Sequence, residues 1–456
     1  MSNRGSSSDQ SRAFMRTLVT GLVVVVVIMG FSLIAVTVGT AQQNKLALPV
    51  NALAGSQDAC VRCHSGSTPG IIEQYGYSAM AVAGVSCRDC HQTEPNYPGS
   101  EEHAGTWVLK SPTPKVCEKC HATEVNQFYA SRHSAPAYAA IRGTEDFTPE
   151  QLAMYQAIPE GSYNPDKSRH QLFALEGPEI TKFACQRCHD IGIPQEDGSI
   201  GRCQSCHLRH AFSIEQVRKP ETCNKCHIGP DHPQWEIYQE SSHGVMYATT
   251  GDKWNWNAPP GSLRVTDFPA PQCATCHISG FGTTGTSHDV GERLSWYLFA
   301  PVSERRPNWE QNKGRMQAIC AKCHNVQWID NFFNDADAAV EKVNSLVTEG
   351  TGIMEGLADG GYITPDVPFD QSIDFTYFDL WHSWGRTAKM GTWMQGADYV
   401  QWHGAYEILR ELVVLREEAA AITGEEISPV TTEESLEVEI VEPVEPVEPV
   451  EPGNGE

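Results

Sequence analysis

The sixteen cysteines constrain this chain more than any other feature, because none of them stands alone. They form eight Cys-x-x-Cys pairs: Cys60/Cys63, Cys87/Cys90, Cys117/Cys120, Cys185/Cys188, Cys203/Cys206, Cys223/Cys226, Cys273/Cys276 and Cys320/Cys323. A histidine follows each pair at once: His64, His91, His121, His189, His207, His227, His277 and His324. No cysteine is left for a disulfide or a catalytic thiol. Two thiols three positions apart can add to the two vinyl groups of one porphyrin, and the next residue then offers its imidazole to the iron. Zinc sites also use Cys-x-x-Cys pairs, but zinc has no need of a histidine directly after every one of them. The pattern reads as eight c-type haem attachment sites.

Composition supports a core built partly of cofactor. Only 40% of the 456 residues are hydrophobic, and 38 Gly and 28 Pro interrupt regular structure. Apolar porphyrins held covalently would supply the missing interior. The motifs recur irregularly, most closely at 18 and 20 residues between the fourth, fifth and sixth, which excludes a solenoid of fixed period. The expected fold is mainly α: a multihaem cytochrome c with short helices around eight covalent haems, little β structure, long helices in the C-terminal region and an N-terminal transmembrane helix.

Six segments follow. Residues 1–16 are polar and carry Arg4, Arg12 and Arg16, which places that end in the cytoplasm. Residues 17–39 form the membrane anchor; positions 18–39 hold no charge and suffice to cross a bilayer as a helix. That run exceeds the apolar stretch of about 7–15 residues usual in a signal peptide, although Gly39-Thr40-Ala41 would also suit cleavage. A linker at 40–55 leads to an octahaem domain at 56–330, and a helical region at 331–424 contains helical stretches at 334–358 and 376–422. Residues 425–456 form a disordered acidic Glu/Pro/Val tail that supplies 11 of the net charge of −24. Everything after the anchor is expected to be periplasmic or otherwise extracytoplasmic. So acidic a chain is no nucleic-acid binder.

Of 17 histidines, nine remain after the proximal set: His103, His133, His170, His210, His232, His243, His288, His382 and His403. Seven bis-histidine haems and one open haem would use seven of them, eight closed haems would use eight, and the count permits either. His103, His133, His210, His243, His288, His382 and His403 are taken as distal iron ligands. His232 is set apart with Asp231. Adjacent in sequence, the two are not expected to pair with each other, but both can face one pocket. There they would offer a base near neutral pH and a fixed negative charge. No Cys-x-x-Cys-Lys motif occurs, which separates the chain from pentahaem nitrite reductases with their lysine-ligated haem.

Four stretches together resemble the octahaem hydroxylamine oxidoreductase family over roughly residues 56–415. They are the eight-motif series with its long gap from His121 to Cys185, Gly229-Pro-Asp231-His232-Pro-Gln-Trp235 with Ser242-His243-Gly244, His288-Asp-Val-Gly-Glu-Arg293-Leu-Ser-Trp296, and Asp398-Tyr399-Val-Gln-Trp402-His403-Gly404-Ala-Tyr406-Glu407. The resemblance implies that the haem on Cys185, Cys188 and His189 is catalytic, with an empty distal position lined by Asp231 and His232. It further implies, in oxidising members, a tyrosine from a neighbouring subunit bonded to that porphyrin within a homotrimer. Tyr399 is the best match and Tyr406 a second. The activity implied is oxidation of hydroxylamine to nitric oxide or nitrite, with electrons passing to a partner cytochrome or a quinone-reactive membrane protein. A nitrite or hydroxylamine reductase forming ammonium, or a membrane-anchored cytochrome that only conducts electrons, remains open. Asn331-Phe332-Phe333 departs from the family by offering no tyrosine after the eighth motif.

Overall fold

The structure, a computed structural model, describes Met15 and residues 51–158, 163–282, 284–365, 367 and 369–424. The anchor expected at 17–39 and the tail at 425–456 lie outside the described residues. Among the described residues, no helix is long and apolar enough to cross a membrane. The fold is mainly helical, as expected, and the four strands among the described residues have only two or three residues each. The chain divides into two compact units, Met1–Ala122 with Gln195–Val217, and Thr123–Pro194 with Arg218–Glu456.

The first unit carries helix α1 (Ala59–Ser67) and the five-residue turn α2 (Cys87–His91), which hold the first two motifs. Residues i and i+3 of a helix share a face, so both thiols of such a turn stand side by side. Asp58 starts α1 by accepting the backbone N–H groups of Cys60 and Val61. Strands β1 (Glu101–His103) and β2 (Thr106–Val108) form an antiparallel hairpin closed by Ala104 and Gly105, both at positive φ (51° and 79°). Such a two-residue turn suits the twist of paired strands, and it fixes His103 at the hairpin's end. The returning segment is fastened by Asp197, whose carboxylate accepts from Tyr97, Thr113 and Ser199. Helix α3 (Pro114–Ala130) leaves helical dihedrals at His121, beside the division between the units.

The second unit contains α4 (Ala135–Arg142), the motif turn α5 (Cys185–His189), α6 (Gln234–Glu240), α7 (Ser242–Thr250) and α8 (Trp309–Cys320). Between α7 and α8, β3 (Trp296–Tyr297) pairs with β4 (Glu304–Arg305). Helix α9 (Val326–Asp359) begins where the Asn325 side chain accepts the Trp328 N–H at 2.9 Å. Its buried positions Ile329, Phe333, Ala336, Val340, Val343, Val347 and Gly350 alternate steps of four and three, so one stripe faces inward. That stripe meets α10 (Ser372–Phe378), α11 (Arg386–Met394) and α12 (Tyr406–Thr423) in a core of Val343, Val347, Ile373, Leu380, Ala388, Ile408, Leu412 and Leu415. A Cβ on Gly350 would stand 3.2 Å from Leu380, so glycine permits the close approach there.

The helical reading of 334–358 holds, with α9 starting earlier. The stretch 376–422 is broken: π-helical turns at Asp379–Gly385 and Gln401–Ala405 separate α10, α11 and α12. Each extra residue in a π turn shifts the helical register, which a single apolar period does not announce. Leu412 is 1% exposed in this core. Leu412→Ala is expected to cost about 2–5 kcal/mol, read as a lower denaturation midpoint at unchanged slope.

Candidate active site

Four motif histidines face a second imidazole across a constant gap. Ring centroids are 6.0 Å apart for His64 and His103, 6.1 Å for His91 and His210, 5.8 Å for His227 and His133, and 6.2 Å for His324 and His243. Two metal–imidazole bonds of about 2 Å each, plus the reach from nitrogen to ring centre, put centroids about 6 Å apart. The gaps therefore fit one iron each. The motif imidazoles are also oriented for it. Nδ1 of His91 and of His189 bonds the carbonyls of Leu109 and Ala137 at 2.7 Å, while His64 and His227 use Thr68 (2.8 Å) and Gln234 (3.2 Å). With Nδ1 engaged, Nε2 is left for a metal. Burial pushes His133 down to about 3, and His227 and His277 to about 4, which keeps them in the neutral form that ligates.

The attachment cysteines form two runs. In the first unit, Cys60 neighbours Cys87, Cys90 neighbours Cys117, and the Cys117 and Cys203 thiols are in hydrogen-bonding contact. In the second, Cys188 is hydrogen-bonded to Cys226 and Cys223 to Cys273, and Cys276 neighbours Cys320. Motifs one, two, three and five thus adjoin in one unit, and four, six, seven and eight in the other.

Four attachment cysteines stand at the margins of these runs. Cys63, Cys120 and Cys323 are exposed, and Cys206 is half-buried. At motifs one, three and eight one cysteine of the pair is thus exposed. Three of these four thiols neighbour a thiol of the runs. Cys120 neighbours Cys90, Cys206 neighbours Cys203 and Cys323 neighbours Cys320, while the Cys63 carbonyl accepts from Ser67 Oγ at 3.4 Å.

His189, of the fourth motif, has no facing imidazole at the 6 Å spacing among the described residues; its charged neighbours are His232, Asp231 and His170. His277 also has none, but its neighbours are His227, Arg293 and Arg306, with no carboxylate–imidazole pair. Beside His189 the pair is built into a short bent loop. Gly229 turns the chain at φ 91°, Pro230 and Pro233 stiffen it, and Thr387 of α11 donates to the Pro230 carbonyl at 3.1 Å. Asp231 and His232 do pair with each other, against expectation: His232 Nδ1 lies 2.7 Å from Asp231 Oδ2. In extended backbone adjacent side chains point apart, whereas this bend turns both to one side.

Asp231 Oδ2 is a hub. His382 Nε2 stands 3.8 Å from it and Arg386 Nη1 3.9 Å. The Arg386 guanidinium lies over Phe299 and Trp381 (5.2 and 5.0 Å), and its Nε donates to the Phe299 carbonyl at 3.0 Å. Phe299 also packs on the His232 ring at 4.9 Å. Burial works to raise the Asp231 carboxyl, but the His232 hydrogen bond and the neighbouring positive charge outweigh it and hold the group at about 2. Burial and Arg386 push His382 down to about 3, so it is neutral at physiological pH. Arg386 falls only to about 10 through burial and provides the standing positive charge. The cluster can hold an ionised carboxylate, fix an imidazole tautomer and keep one cation against both.

The remaining expected residues go elsewhere. His382, read as an iron ligand, is placed with Asp231 and stacked on Phe378 at 4.1 Å, because the π turn at Asp379–Gly385 carries it to that side. His403 keeps Nε2 for a metal, its Nδ1 bonding Asp398 at 2.7 Å. His288 is half-buried, its main-chain N–H donating to Gln127 at 3.0 Å. Tyr399 stacks on His403 at 5.0 Å, with Glu236, Glu240 and Asp398 as its charged neighbours, and Tyr406 is exposed beside Trp402. Phe332 stacks on Trp328, which stacks on His324 at 4.0 Å, so the tyrosine-free position serves the eighth motif within this chain. Sequence reading missed His170, Arg386 and Phe299. Only His170, as a spare histidine shortly before the fourth motif, had a signal to offer.

A family model described as "Seven times multi-haem cytochrome CxxCH" matches residues 83–367. The chain belongs to the multihaem cytochrome family. The match runs over seven of the motifs, from Cys87 to His324, and leaves Cys60–His64 outside. Membership implies c-type haem bound through these motifs, and the oriented imidazoles and iron-sized gaps fit that group. A "Probable nitrite reductase-hydroxylamine oxidoreductase fusion protein" of Kuenenia stuttgartiensis is 27% identical over 358 residues, 71% of this chain. The chain spans only 40% of that relative's length. Among solved structures, a "Hypothetical multiheme protein" is similar with TM-score 0.69 and 21% identity, over 84% of this chain and 99% of that one. A Kuenenia stuttgartiensis reducing HAO-like protein complex gives TM-score 0.60 and 19% identity, over 84% and 88%. At these identities the structural likeness is one of fold.

Proposed function

We propose that the protein binds eight haems and oxidises hydroxylamine to nitric oxide or nitrite at the one held by Cys185, Cys188 and His189. The observation that carries this reading is the Asp231–His232 pair beside His189. The nitrogen chemistry is suggested by the name of the fusion-protein relative. When bound, that haem iron supplies a coordination position for the substrate nitrogen and the first electron acceptor. Hydroxylamine gives up protons along with its electrons, and His232 is placed to take them. With Nδ1 held by Asp231, the Nε2 lone pair is the free base, and Asp231 stabilises the imidazolium that forms. Phe299 and Trp381 cover the cluster and limit water there. Seven bis-histidine haems would conduct the electrons, and the four imidazole pairs described above would hold four of them.

The assembly belongs to the proposal. Trp402, Tyr406, Leu409 and Val413 are 48–58% exposed at steps of four, three and four, an apolar stripe on the outer face of α12 and the turn before it. A homotrimer would cover it and bring Tyr399 to a neighbour's catalytic porphyrin. An anchor at 17–39 would hold the chain at a membrane, with this domain outside the cytoplasm and a redox partner taking the electrons.

Mass spectrometry of haem peptides tests the direction: a Tyr399 peptide joined to the Cys185–His189 haem is expected. Unmodified Tyr399 would turn the reading to reduction of nitrite or hydroxylamine to ammonium. A resting ferric sample should show high-spin haem by electron paramagnetic resonance. Wholly low-spin iron would leave only an electron-conducting cytochrome.

A further inference from the structure

Lys389 is fully buried at 0% exposure, yet among the described residues no carboxylate bonds it. Its three N–H donors go to the carbonyls of Ala300 (3.3 Å) and Pro301 (3.2 Å) and to Ser303 Oγ (2.7 Å). One turn earlier on the same face of α11, Arg386 Nε donates to the carbonyl of Phe299. Lys389 and Arg386 thus grip the connection between β3 and β4 from Phe299 to Ser303. Pro301 lacks an N–H, so this stretch has one donor fewer for pairing as a strand. Its far end is bolted to α9: Ser303 N–H donates to Asn344 Oδ1, and Asn344 Nδ2 to the Ser303 carbonyl, both at 2.8 Å. The strap presents Phe299 to the His232 ring.

We propose that Lys389 is a positioning residue which, through the Phe299–Ser303 strap, holds Phe299 over His232 and so sets the access and orientation of that imidazole. The functional consequence rests on the role of His232 given above; the mechanical one does not. A buried lysine is an expensive way to fix a loop: burial pushes its ammonium down to about 7, and its donors have to be fully bonded. The three donors of an ammonium can take three acceptors from one short loop, which no apolar side chain at position 389 could do.

The test uses the full-length, haem-loaded protein with Lys389→Met, Phe299→Leu and Asn344→Ala. Two readouts need no turnover: amide hydrogen exchange across 299–303, and the rate at which diethyl pyrocarbonate acylates His232, both followed by peptide mass spectrometry. Lys389→Met is expected to speed exchange in the strap about tenfold or more, with α9 unchanged, and to raise His232 acylation several-fold. Phe299→Leu should raise acylation without speeding strap exchange, because its backbone bonds remain. Asn344→Ala should loosen the strap from its other end and gives the same reading should Lys389→Met not fold. Unchanged strap exchange in Asn344→Ala and in any folded Lys389→Met, or faster exchange throughout the unit, would overturn the proposal. So would unaltered His232 acylation in Phe299→Leu. Failure of the wild type to turn over hydroxylamine would count against the proposed activity alone, since neither readout depends on it.

Discussion

Asp231→Asn is expected to lower hydroxylamine turnover at neutral pH by about 100- to 10,000-fold, with the haem complement intact. The substitution keeps shape and removes charge. His232 Nδ1 loses the acceptor that fixes its tautomer, and Arg386, well buried, loses its counter-charge. Because the two residues act as a unit, adding His232→Ala to Asp231→Asn should cost little more than either alone. Steady-state kinetics of the two single variants and the double variant decide it; losses that multiply would separate their roles. The pH behaviour has a definite sign. The folded-state carboxyl sits at about 2, below its unfolded value, so its contribution to stability is complete above about pH 4 and is lost as pH falls through about 2. With the side chain about a third exposed, that contribution is roughly 2 kcal/mol at most. The stability gap between wild type and Asp231→Asn should therefore narrow in denaturation series below about pH 4.

His133→Ala is expected to add a second high-spin ferric haem per chain. His133 stands 5.8 Å from His227 in centroid terms and is held neutral by burial, so it fits as the ligand that closes the sixth motif's haem. Removing it leaves a position that water or added imidazole can enter. Spin quantitation of the resting protein, before and after imidazole, checks this. An unchanged high-spin signal would mean that another residue closes that iron. The attachment thiols Cys188 and Cys226 are in contact, so the opened iron would adjoin that of the fourth motif, and slower electron removal from the latter is expected in the same variant.

The attachment sites were legible because covalent chemistry demands a fixed local spelling. Which thiols would be more covered was not: Cys63, Cys120 and Cys323 share that spelling with half-buried cysteines elsewhere and yet are exposed. The pairing of imidazoles was equally hidden. His103 lies past the second motif but faces His64 of the first, His210 reaches back to His91, and His133 reaches forward to His227. Such pairs are set by where a rigid cofactor sits between segments, and the sequence carries no periodic trace of that. Asp231 and His232 stood out as residues without another duty, but their mutual hydrogen bond depends on a bend that only the glycine and two prolines around them hinted at. The nearness of His382 to Asp231 was hidden for a reason of register: a π turn carries it to the face where Asp231 lies. Arg386 and Phe299 carry no motif, and the contact between them spans 87 positions.

The first unit has a consequence for how the protein is made. It consists of Met1–Ala122 and a later piece, Gln195–Val217, which supplies His210 for His91 and the fifth motif beside the third. A chain read from its N-terminus therefore produces the fourth motif before the unit that precedes it can close. Long-range closure of this kind is slow, and it leaves apolar surface exposed meanwhile. Haem attachment at the first three motifs can therefore precede closure of their unit, and His91 waits 119 positions for His210.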